Sequence, residues 1–144
     1  MEKQFVIDDG EELYTFKNAQ GDVFAKFSFN PADTGILERY DKAVENLNAI
    51  KTDFTNMTDE DAAKEIVNMD NLIKEQFNVI CGKNVSDGMF MRYTPLTLFP
   101  NGQFYAEVVA EKIGDFIRTA IDERQKLKEK KKEKIRNDIA ADNA

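Results

Sequence analysis

Residues 23–40, Val-Phe-Ala-Lys-Phe-Ser-Phe-Asn-Pro-Ala-Asp-Thr-Gly-Ile-Leu-Glu-Arg-Tyr, change their apolar period from two to between three and four within a few positions. Val23, Ala25, Phe27 and Phe29 alternate with Lys26 and Ser28, which predicts an extended segment with one apolar face and one largely wet face. Asn30 then stands where a helix cap belongs, Pro31 follows at a position that needs no N–H donor, and Asp33 suits the positive end of a helix dipole. The stretch reads as a strand running directly into a helix.

Working outward, residues 4–8 and 11–17 are two further extended candidates separated by Asp9-Gly10, and Asn18-Ala-Gln-Gly-Asp22 is a turn into the strand at 23. Together they predict a small antiparallel meander of about three strands. From Pro31 to about Asn56, Ile36, Leu37, Tyr40, Val44, Leu47, Ile50 and Phe54 recur mostly at steps of three and four, an amphipathic helix. Thr58-Asp-Glu-Asp61 is close to a capping box, and Ile66, Met69, Leu72, Ile73, Phe77 and Ile80 carry a second helix to Cys81. Gly82 is placed to end it in the left-handed conformation. Asn101-Gly102 opens a third helix with apolar positions at Phe104, Tyr105, Val108, Val109, Ile113, Phe116, Ile117 and Ile121. Beyond it only Leu127, Ile135 and Ile139 remain, too little apolar surface to dock firmly, so a protruding or frayed end is expected.

The fold class read from this order is α+β: a small N-terminal antiparallel sheet covered by two or three helices, with a long C-terminal helix. Residues 1–123 form a single domain and 124–144 a charged, partly frayed helical tail. With 144 residues one domain is the expectation, long enough to bury roughly two thirds of its unfolded surface. No apolar run approaches the roughly 18 residues of a membrane span, and the acidic first ten residues resemble no signal peptide. Together with a single cysteine, Cys81, these features fit a cytoplasmic location.

Between residues 83 and 100 the pattern is irregular, broken at Ser86-Asp87-Gly88, Pro95 and Pro100, with a further hairpin as one option. The stretch is nevertheless rich in Met89, Phe90, Met91, Tyr93, Leu96, Leu98 and Phe99. It is either a buried connection or an adhesive surface, for which methionines and aromatics are suited. These seven residues are the candidate partner-binding set.

Charge is divided unevenly. From Arg124 to Arg136 eight basic residues face two acidic ones, a local +6, so the remainder of a chain with net charge −7 holds −13. Lys126, Lys128, Lys130, Lys131, Lys132 and Lys134 are either a solvated helix end, favourable to the dipole and paired with Glu129 and Glu133, or a partner-binding tail. Such a tail could meet an anionic partner or the acidic body of a second copy, making a homo-oligomer by head-to-tail association. Nucleic acid is disfavoured as a partner, because the basic run has no interleaved aromatic to stack on bases and the acidic body repels phosphate.

No catalytic constellation emerges. The chain has no histidine, the commonest general base near neutral pH and the commonest nitrogen ligand of zinc. The carboxylate pairs Asp8-Asp9, Glu11-Glu12 and Asp59-Glu60-Asp61 all sit at turns or helix starts, where acids are expected on structural grounds. Gly82, Gly88 and Gly102 are too scattered to cradle phosphates. The stretch from Asp53 lacks the glycine and terminal glutamate of a calcium loop. The chain is therefore read as not an enzyme, with no metal and no cofactor.

The layout has a familiar form. A short N-terminal meander, a strand ending Phe27-Ser-Phe-Asn-Pro-Ala-Asp33, a helix beginning Ile36-Leu-Glu-Arg-Tyr40, a middle helix and a Pro95-Leu-Thr-Leu-Phe-Pro-Asn-Gly102 approach to a long last helix resemble the tail assembly chaperones of long-tailed bacteriophages and prophages of Gram-positive hosts. The resemblance covers about residues 11 to 121. It implies a non-enzymatic protein of the host cytoplasm that binds the tape measure protein, keeps its long apolar helices from aggregating, and helps recruit tail tube protein; the alternative is a structural or interaction protein of the phage particle. It also implies a longer form made by ribosomal frameshifting, for which the adenine-rich codons of Lys130-Lys131-Lys132 are the candidate slip site. A slippery heptamer there, with an overlapping downstream frame, is the check.

Overall fold

The computed structural model describes residues 1–49 and 55–142. The fold is α+β, with two antiparallel strands and four helices among the described residues, the last of them long. Strand β1 (Glu12–Lys17) pairs with β2 (Val23–Phe29), with Tyr14 opposite Phe27 and Phe16 opposite Ala25. Asn18 holds the connecting turn: its side-chain oxygen accepts from the N–H groups of Gln20 and Asp22 at 3.0 and 2.9 Å. Gly21 there adopts the left-handed conformation.

Two expectations for the sheet need correction. Residues 4–8 form no strand; Phe5, Val6 and Ile7 are exposed. The reason lies in the turn that follows them. Asp8 and Asp9 carboxylates accept from Gly10 and Glu11, the Asp9 carbonyl accepts from Asn30, and the Gly10 carbonyl accepts from Arg124 at 2.9 Å. These bonds consume the backbone groups that a tight hairpin would use. The alternation of β2 also breaks, because the register shifts between Phe16 and Lys17 so that Lys17 faces Val23. A bulge turns the strand. Val23 faces solvent and Phe24 turns in against Tyr93, Phe99 and Tyr105.

Helix α1 (Ile36–Asn48) starts later than the Asn-Pro signal implies. Asn30 accepts from Ala32 N–H at 3.1 Å, shaping a turn rather than the helix cap, and the cap position is Gly35 without a side-chain bond. Asp33 remains at the helix start and pairs with Arg39 at 2.6 Å, which holds its carboxyl below the ordinary carboxylate range. Ile50 and Phe54, the end of the predicted stripe, lie outside the described residues.

Helix α2 (Asp59–Cys81) has the expected ends. Thr58 Oγ1 accepts from Asp61 N–H at 3.1 Å, and Gly82 closes the helix in the left-handed conformation. Thr58→Ala is expected to cost about 1 kcal/mol, read as a lower midpoint in thermal unfolding. The two helices run antiparallel, Arg39 Nε donating to the Ile80 carbonyl at 3.1 Å and Asn46 meeting Gln76. Met69, Ile73, Phe77 and Ile80 are buried as the stripe requires, whereas Ile66 and Leu72 are exposed.

Helix α3 (Ser86–Met89) is a single turn against β2. Asn78 organises its approach, accepting from the N–H groups of Val85 and Ser86 at 2.8 and 2.9 Å. Helix α4 (Tyr105–Asp142) then buries Tyr105, Ala106, Val109, Ile113, Ile117 and Ala120 in the shared core. Its first N–H groups are not orphaned, since Tyr105 and Ala106 donate to the Thr97 and Pro95 carbonyls. Phe116 stacks on Tyr14 with ring centroids 4.2 Å apart, which fastens the sheet to α4.

Cys81 lies in this core, and burial pushes its thiol up to about 12. At pH 8 its thiolate is scarcer by about a thousandfold than for an unperturbed cysteine, so a disulfide reagent is expected to leave the native protein unlabelled and to react fully once denaturant is added. Among the described residues no helix is long and apolar enough to cross a membrane.

Candidate partner-binding groove

The stretch read as either a buried connection or an adhesive surface is divided between core and surface. Met89 and Phe90 are buried; Phe90 packs on Phe77 and Tyr105. Tyr93, Leu96 and Phe99 are half-buried against the core, Phe99 stacked on Tyr105 at 5.0 Å. Of the seven residues only Met91 and Leu98 are exposed, so they do not form one contact face. The physical reason is that Tyr105, at the first turn of α4, needs an aromatic coat on the side that the helices leave open. The optional further hairpin reduces to a single bridge between Leu98 and Phe104 around the turn at Phe99–Gly102.

A groove of about 460 Å³ lies instead between α1, α2 and the start of α4. Val44 and Leu47 come from α1, Met69 and Ile73 from α2, Leu96 from the preceding loop, and Phe104, Ala106 and Ala110 from the α4 end. Phe104 is exposed beside Leu98, extending the apolar surface outward. The loop wall is fixed by Asp70, a buried carboxylate on α2 that accepts from Leu96 N–H at 3.1 Å.

The polar rim is acidic. Glu107 and Glu111 line the groove one turn apart on α4, with no lysine or arginine among its described lining residues. Tyr40 closes one end, donating from its hydroxyl to the Ala110 carbonyl at 2.8 Å. Burial raises its phenol, while Arg118 opposes, and Asp115, Asp41 and Glu111 reinforce, that shift. Gly114 makes room for the ring: a Cβ there would meet the Tyr40 hydroxyl at 2.7 Å. Such a site can hold an apolar helix face whose edges carry positive charge. Among the described residues no group of three or more cysteine, aspartate or glutamate side chains is arranged to hold a metal ion.

Sequence reasoning placed Val44, Leu47, Met69 and Ile73 on apolar stripes, but a stripe does not say whether another element covers it. Glu107 and Glu111, four residues apart on a helix, were the legible sign of a shared rim.

The basic run lies at the far end of α4. Arg124 is not part of a free tail: it donates to Asn30 at 2.7 Å and to the Gly10 carbonyl, and Glu12 stands 3.7 Å away. From there the helix continues unbroken to Asp142, with Lys126, Lys128, Lys130, Lys131, Lys132 and Lys134 all exposed. Lys126 pairs with Asp122 at 2.9 Å and Lys132 with Glu129 at 3.6 Å. Comparison of the chain with protein-family models, with curated proteins and with solved structures finds no match.

Proposed function

We propose that this chain is a non-enzymatic tail assembly chaperone of a long-tailed phage or prophage, which shelters apolar helical segments of the tape measure protein until the tail tube protein surrounds it. The observation that carries the reading is the apolar, acid-rimmed groove between α1, α2 and α4. A client helix gains by burying its apolar face there, and the net charge of −7 keeps the loaded chaperone from aggregating. The resemblance in layout over residues 11 to 121 supports the family reading, and the groove supports the means.

The proposal places a tape measure gene beside that of this chain, and co-expression with the protein it encodes is the test. The soluble yield of that protein is expected to rise several-fold and the two chains to co-purify; no gain in soluble yield over an empty vector rejects the proposal. The exposed basic helix favours a second reading, a structural or interaction protein of the particle, since it offers neighbours a charged handle. Mass spectrometry of purified particles separates the two: an assembly factor is absent from them, and a structural component is retained.

A further inference from the structure

The far end of α4 carries the complement of the groove. Ile135 and Ile139 are exposed one turn apart, with Lys131 and Lys128 at four and seven residues before Ile135 on the same helical face. Leu127 adds a third exposed apolar residue two turns earlier. We propose that this basic end docks in the groove of a second copy of the chain, so that copies associate head to tail.

Three observations select that occupant. First, charge is complementary: a local +6 between Arg124 and Arg136 meets the Glu107–Glu111 rim of a body that is strongly negative, since the whole chain has a net charge of −7. Second, apolar pattern matches apolar floor. Ile135 and Ile139 are anchors at helical spacing for a groove lined by Val44, Leu47, Met69 and Ile73. Third, a copy cannot fill its own groove. The groove is built on the first turns of α4, and Ile135 lies about 36 Å farther along the same unbroken helix axis than Glu111.

The two surfaces are different patches of one molecule, so each contact leaves a free groove at one end and a free tail at the other. With few apolar anchors the contact is weak, a Kd on the order of 10–100 μM. Self-docking goes beyond the reading above and needs only the groove, whatever the client is.

Sedimentation of the full-length chain tests it. At about 0.5 mM protein in low salt the weight-average mass is expected to reach at least about twice 16.5 kDa. It should return to that of one chain in about 0.5 M salt, where the Debye length shrinks to about 4 Å. Two full-length variants sharpen the test. Ile135→Asp with Ile139→Asp blocks the tail, and Glu107→Lys with Glu111→Lys blocks the groove. All four positions are exposed, and Lys128→Glu with Lys131→Glu serves as a second tail block. Each variant alone stays monomeric. An equimolar mixture of tail-blocked and groove-blocked chains forms a complex of two, since one intact groove meets one intact tail. A wild-type chain that remains monomeric, a blocked variant that still self-associates, or a silent mixture overturns the proposal. Should the groove variant lose its client while the wild type never self-associates, the groove belongs to the client and self-docking is rejected, with the chaperone reading intact.

Discussion

Gly88→Ala is expected to destabilise the protein by about 3 kcal/mol or more, lowering the thermal midpoint by roughly 10 °C in a chain of this size. The cause is a collision rather than backbone strain. Gly88 sits in α3 where that turn crosses β2, and a Cβ built there runs into the Lys26 carbonyl. That oxygen belongs to a strand already paired with β1, with Lys26 opposite Thr15. The neighbour is backbone and cannot rotate away as a side chain would. α3 must therefore lift, and it carries Met89 and the adjoining Phe90 out of the core as it does. Gly21→Ala and Gly102→Ala are the controls. Both glycines have a positive φ, of 84° and 86°, and both have open space where the Cβ would stand. Each control should cost only about 1 kcal/mol, from backbone strain alone. Equal losses at all three positions in chemical denaturation would refute the collision.

Tyr105→Ala is expected to cost about 3–5 kcal/mol, a large share of the roughly 5–15 kcal/mol by which a domain is ordinarily stable. Tyr105 is 1% exposed at the first turn of α4 and meets the rings of Phe24, Phe90, Tyr93 and Phe99. Its hydroxyl donates to the Met89 carbonyl at 2.7 Å, so one side chain joins β2, α3, the following loop and α4. Burial alone raises its phenol, consistent with a hydroxyl held neutral as a donor. Tyr105→Phe separates packing from hydrogen bonding. The ring stays and the Met89 carbonyl loses its donor, so the loss should be only about 1–2 kcal/mol. If the two substitutions cost the same in urea titrations, the aromatic cluster is not the anchor.

Both sites bear on the groove. Tyr105 fixes the start of α4, and the next residues, Ala106, Glu107, Ala110 and Glu111, supply one wall and the acidic rim. Variants that loosen this corner are therefore expected to weaken the proposed binding of an apolar helix along with stability. The exposed substitution Glu107→Lys changes the rim charge, whereas Glu111→Lys also removes the bond that Glu111 accepts from Gln103 Nε2 at 2.8 Å.

Local chemistry decided much of the fold. The Thr58 cap, the Gly82 stop, the Asn18 turn and the main apolar stripes depend on neighbours within about a turn, so they are legible in the chain itself. The clustering of positive charge after Arg124 is likewise a property of sequence. What needed the tertiary structure was the pairing of distant groups. Asp9 and Gly10 are claimed by Asn30 and Arg124, and that denies residues 4–8 a hairpin. A bulge opposite Lys17 reverses the faces of Val23 and Phe24, because a single extra residue flips a period of two. Phe90, Tyr93 and Phe99 are held in place by Tyr105, a residue that packs on them from the start of the next helix, while Met91 and Leu98 stay exposed. The groove follows the same logic: sequence periodicity names the apolar residues of α1, α2 and α4, but whether three stripes close over one another or leave a gap depends on how the helices cross, a relation no single stretch of chain contains.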